Sequence, residues 1–139
     1  MNPRIHQVCA AVLGVTGTYV GVWALFLPGQ FYERFPGFGH HWVDTLGPYN
    51  EHLARDVGGL YTAMALMSLW AASRPSRERF ALVGLGWLVF NVAHALFHLH
   101  HLDAYGFADQ VGNVVLLLGV TVLAGLLLIP TRSPDNLDD

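Results

Sequence analysis

Four apolar stretches, each close to the length of a membrane crossing, leave this chain few ways to fold. They run roughly over residues 5–27, 53–72, 80–101 and 108–129. A bilayer core takes about 20 apolar residues as a helix. A barrel strand would take about ten, with alternating polarity. Runs such as Val114-Val115-Leu116-Leu117-Leu118 do not alternate. In lipid each backbone polar group must be satisfied internally, which selects helices. The expected fold is therefore all-α, a four-helix transmembrane bundle. It forms one domain over 1–130, with an aromatic loop over 28–51 and a disordered cytoplasmic tail over 131–139.

Composition agrees. Of 139 residues, 53% are apolar and 12% charged, against about 25% charged in a soluble domain. Mean hydropathy is +0.41. The net charge of -3 and the lack of a basic patch argue against nucleic acid as a partner. Cys9 is the sole cysteine, which excludes an internal disulfide and a thiolate cluster. The first apolar run leads into Pro28-Gly29 rather than a small-x-small cleavage site, so it reads as a retained helix.

The arginines set an orientation. Arg74, Arg77 and Arg79 crowd the linker between the second and third stretches, Arg4 precedes the first and Arg132 follows the fourth. With four spans these five share one side, and only Arg34 and Arg55 lie on the other. The positive-inside rule then makes both termini cytoplasmic, in a multi-pass protein of the cell membrane. Gly17-x-x-x-Gly21 permits close helix contact, either inside the monomer or across a homodimer seam.

The loop over 28–50 carries Phe31, Tyr32, Phe35, Phe38, Trp42 and Tyr49. Rings of this kind favour the headgroup level, and the loop is placed to roof the bundle. His40-His41 and Asp44 within it read as solvated.

Polar residues gather where the second helix starts, the third ends and the fourth starts. Asn50 is a helix cap and Glu51 suits the positive end of the dipole. His52, Arg55, Asp56 and Gly59 share a face of the second helix. On the third, His94, His98 and His101 stand at i, i+4 and i+7, within roughly 60° of one another. Asn91 joins them and His100 points elsewhere. Asp109 and Asn113 open the fourth helix. At about 1.5 Å per residue, His94 lies roughly 10 Å deeper than His101. Ionisable groups inside a span are functional suspects by default, although a structural ion pair is the competing account of Arg55 and Asp56.

Several chemistries suit this pattern. One is a metal site. His94, His98 and His52 would be ligands, with Asp56 or His101 as a further one and Glu51 or Asp109 behind them. Imidazole suits zinc, iron or copper. Another is b-type haem, held by His52 with His94 or His98 in a slot opened by Gly58 and Gly59. A third is acid–base or redox-linked work by Glu51, Arg55 and Asp56 on a lipid or quinone-like substrate entering from the bilayer. A fourth is a structural or accessory subunit whose polar cluster only holds the bundle together.

The layout, with Arg55-Asp56-Val57-Gly58-Gly59 opening a helix, resembles the DoxX-like small bacterial membrane proteins. That resemblance implies a four-helix bundle and a link to quinone or redox chemistry. His94-x-x-x-His98-x-His100-His101 is similar to one histidine box of the membrane fatty-acid desaturases and hydroxylases, which implies iron. Those enzymes carry several boxes, with two or three residues before the final His pair. This chain has one box, with one intervening residue.

Overall fold

The computed structural model describes residues 2–130, and the expected disordered tail over 131–139 lies outside them. Five α-helices follow in order: α1 Pro3–Phe26, α2 Pro28–Arg34, α3 Glu51–Ser73, α4 Arg77–His100 and α5 Phe107–Leu126. No strand occurs among the described residues. Four of the helices are long and match the four apolar stretches. α2 is a short helix inside the segment expected to be a loop. Pro28 begins it at the first helical position, where the missing N–H costs nothing.

Three of the four long helices start at a side-chain cap. Asn2 Oδ1 accepts from the Arg4 amide at 2.9 Å, and Pro3 is the first residue of α1. Asn50 Oδ1 accepts from the Leu53 amide at 3.1 Å and caps α3, as its position suggests. Ser76 Oγ accepts from the Arg79 amide at 3.2 Å at the head of α4. Gly106 precedes α5 without a side-chain cap.

The helices pack as two antiparallel pairs, α1 with α3 and α4 with α5. The α1–α3 seam is built from glycines. A methyl group on Gly21 would fall 2.6 Å from the Thr62 amide, and one on Gly58 would strike the backbone of Ala24 and Leu25. Gly17 meets Ala65 and the Trp87 ring, so both residues of the Gly17/Gly21 motif face contacts inside the chain. The two pairs join through Cys9, Leu13, Met64, Phe80, Val83, Trp87 and Leu127, all buried. The Trp87 indole donates to Ser68 Oγ at 2.8 Å, and Ser68 donates to the Met64 carbonyl at 2.7 Å.

Three helices among the described residues are long and apolar enough to cross a membrane: α1, α4 and α5. The expected count was four. α3 has the length but not the apolarity, because Glu51, Arg55 and Asp56 occupy its first two turns. Outside the core the surface stays oily. Val8, Val15, Leu82, Val89, Val115 and Val122 are all more than half exposed.

Candidate functional site at the end opposite the termini

α4 ends, α5 begins and the segment between α2 and α3 folds over at the end of the bundle opposite the start of α1. Asp109, in the first turn of α5, is the hub. Its Oδ1 meets His40 Nδ1 at 2.5 Å and the Trp42 indole Nε1 at 2.8 Å. The Trp42 ring lies against Gly112, where a methyl group would stand 2.9 Å from it. Tyr105, in the turn between α4 and α5, donates its hydroxyl to the Trp42 carbonyl at 2.7 Å. Burial, reinforced by the carboxylates of Asp109 and Asp44, pushes the Tyr105 phenol up to about 12. The loop is thus pinned at one indole, 7% exposed. His41 pairs with Asp44 at 3.4 Å.

Beneath this roof lie the α4 histidines. His94 stacks on Phe90 with ring centroids 5.1 Å apart and meets His98 edge-on at 4.6 Å. His98 is also stacked with Tyr105 at 6.5 Å. The Asn113 side chain hydrogen-bonds His98 from α5. Asn91 and Asn113 are each 1% exposed. Two atoms here, His98 Nδ1 and Asn91 Nδ2, and a third in the roof, Asp44 Oδ1, are buried without a hydrogen-bond partner among the described residues. A buried donor or acceptor left unpaired costs about 1–3 kcal/mol.

The other expected site residues are engaged elsewhere. His101 Nδ1 turns back to the Phe97 carbonyl at 2.7 Å and its ring stacks on Phe97. His100 does the same to Leu96, which fits its pointing away from the cluster. On α3, His52 pairs with Asp56 at 3.3 Å, with side chains 88% and 62% exposed. Glu51 pairs with Arg55 at 2.8 Å, and Arg55 also donates to the Leu25 carbonyl at 2.6 Å. The suspected Arg55–Asp56 pair is therefore two separate i,i+4 pairs. No hydrogen bond or ion pair among the described residues joins Glu51, His52, Arg55 or Asp56 to His94, His98 or His101. Gly58, half of the supposed haem slot, is filled by α1, while Gly59 faces open space.

Among the described residues no three His, Cys, Asp or Glu side chains converge as a metal-holding group. The expected gathering of three helices becomes two centres, one on α3 and one on α4, α5 and the loop. The sequence reading missed Trp42 and Tyr105 as fastenings and took His40 as solvated. The signal was weak: a buried indole or phenol needs a partner for its polar tip, but nothing in the spacing says which. Comparison with protein families, with curated proteins and with solved structures finds no match.

Proposed function

We propose that this is a multi-pass protein of the cell membrane whose working centre is the His94–His98 wall of α4. α3 is the fourth span, carried by its packing on α1, and the termini are cytoplasmic. The arginine asymmetry supports this orientation. One observation carries the functional reading. His6, His40, His41, His52, His100 and His101 each have a hydrogen-bond or ion-pair partner. The other two, His94 and His98, touch each other; His94 has no such partner among the described residues, and His98, which bonds Asn113, keeps one buried, unpaired ring nitrogen.

In this reading the pair takes up a transition metal ion, zinc, iron or copper, through two imidazoles. Positions left open on such an ion suit water or a lipid or quinone-like substrate. Asn91 and Asn113 supply amide groups beside it, and the 35–49 loop shields it. The second reading is a structural or accessory subunit. The closed local pairs at Glu51–Arg55, His52–Asp56 and His40–Asp109 favour it, since they look like fastenings.

Metal analysis of gently purified protein separates the two. Near-stoichiometric metal that is lost in His94→Ala and His98→Ala, and kept in His52→Ala, supports the first. Substoichiometric metal that those variants leave unchanged returns the chain to the second. Topology is read separately. A cysteine in place of Phe38, which is 98% exposed, should react with an impermeant thiol reagent in intact cells, and one at Ser76 should not.

A further inference from the structure

At the end of the bundle where α1 and α4 begin there is a cleft of about 80 Å³. It lies between the start of α1, the start of α4 and residues 127–129. His6 forms its floor, 1% exposed, with its ring 5.3 Å from Phe80 and Nε2 at 2.8 Å from the Ile129 carbonyl. Ala81 and Leu128 make the walls apolar, and Arg77 lines the polar side.

Arg77 differs from its neighbours. Arg79 is committed, since its Nη1 donates to the Arg74 carbonyl and its guanidinium lies 4.6 Å over the Trp70 ring. Arg77, the first residue of α4, has no hydrogen bond or ion pair among the described residues. Glu78, the acid of the same turn, forms no ion pair with it. A guanidinium with no partner among the described residues thus stands where a spanning helix meets the interface, over a cleft that is polar on one side and apolar on the other. Arg4, Arg74 and Arg79 add positive charge at the same end.

We propose that this cleft binds the phosphate of an anionic phospholipid, with Arg77 as the cation. A guanidinium matches phosphate oxygens in a planar, two-pronged geometry. The acyl chains have a path beside it. Leu85, one turn beyond Ala81 on α4, is 55% exposed, and Leu128 is 42% exposed. A free phosphate would use Arg77 and leave that apolar flank uncovered, so the lipid is the occupant. This rests on the membrane reading above but not on the His94–His98 centre.

Alkaline carbonate extraction tests the membrane reading first: release of the chain from membranes would sink that reading by itself. The site is tested by native mass spectrometry of the full chain from detergent. The probes are phosphatidylglycerol, phosphatidylcholine of the same acyl chains, and inorganic phosphate. The expected result is one retained phosphatidylglycerol, preferred over phosphatidylcholine and not displaced by millimolar phosphate. Arg77→Gln should weaken it about fivefold, the worth of one interfacial cation. Ala81→Leu, which fills the cleft and keeps every charge, should weaken it as well. Arg79→Gln should change it less than twofold. Equal retention of the two lipids would overturn the proposal, as would displacement by phosphate or indifference to both Arg77→Gln and Ala81→Leu. Equal losses in Arg77→Gln and Arg79→Gln would overturn it too, replacing a site by a diffuse collar.

Discussion

Trp42 and Asp109 lie 67 residues apart and share a hydrogen bond, indole Nε1 to carboxylate Oδ1 at 2.8 Å. Through it a segment with little regular structure is tied to the first turn of α5. His40 shares the same oxygen, and Tyr105 holds the Trp42 carbonyl from below. The aromatic loop is therefore a fastened roof.

Breaking that tie should loosen the roof without unfolding the helices. A hydrogen bond to a charged group contributes about 1.5–3 kcal/mol. Asp109→Asn and Trp42→Phe should each lower thermal stability in detergent by about that much. Their double mutant should cost clearly less than the sum. Additive losses would mean that the two side chains act separately.

The α1–α3 seam gives a paired test. A methyl group on Gly58 meets the α1 backbone, whereas one on Gly59 meets nothing within 4 Å. Gly58→Ala should destabilise by about 1–3 kcal/mol through overpacking. Gly59→Ala should be neutral or slightly stabilising, since alanine is the better helix former. Thermal unfolding of both variants reads this. A Gly58→Ala variant as stable as wild type would contradict the seam.

Among the described residues Ser68 is the one hydrogen-bond partner of the Trp87 indole inside the core. Ser68→Ala should cost about 1–3 kcal/mol, because it strands a buried donor. Pairing it with Trp87→Phe should recover part of the loss, because the orphaned N–H is then gone. Chemical or thermal denaturation of the three variants measures it.

Tyr105 sets an alkaline limit. Its phenol is neutral when protonated, and the fold raises it from 10.0 to about 12. Its contribution to stability is fully present below pH 10 and is lost as pH rises toward 12. The loop should release across that window. In Tyr105→Phe the tyrosine absorbance titration should lose the component centred near pH 12. A wild-type titration with every tyrosine complete near pH 10 would contradict the buried hydroxyl.

Much of the scaffold is legible in the sequence, because length and apolarity act locally. The four long helices fall where the apolar runs lie, and the Asn50 cap is visible from the residues after it. The site is less legible, for reasons that can be named. Helical spacing places His94, His98 and His101 on one face, but the Phe97 carbonyl captures His101 at the fraying last turn. Glu51, His52, Arg55 and Asp56 satisfy one another at i,i+4, a choice open to any such helix. Whether α3 turns those groups toward α4 depends on the glycine seam with α1, which is a long-range contact. Tying His40 and Trp42 to Asp109 required knowing how the loop folds back.

The central claim is that His94 and His98 form a ligand-taking pair and the other histidines do not. Histidine-selective ¹⁵N NMR of the protein in detergent, titrated with zinc, tests this most directly. Signals are assigned through single His→Gln variants. The account predicts that one equivalent of zinc moves the ring nitrogens of His94 and His98 together and leaves those of His52, His100 and His101 in place. No movement at His94 and His98, or movement only at the exposed histidines, would contradict it.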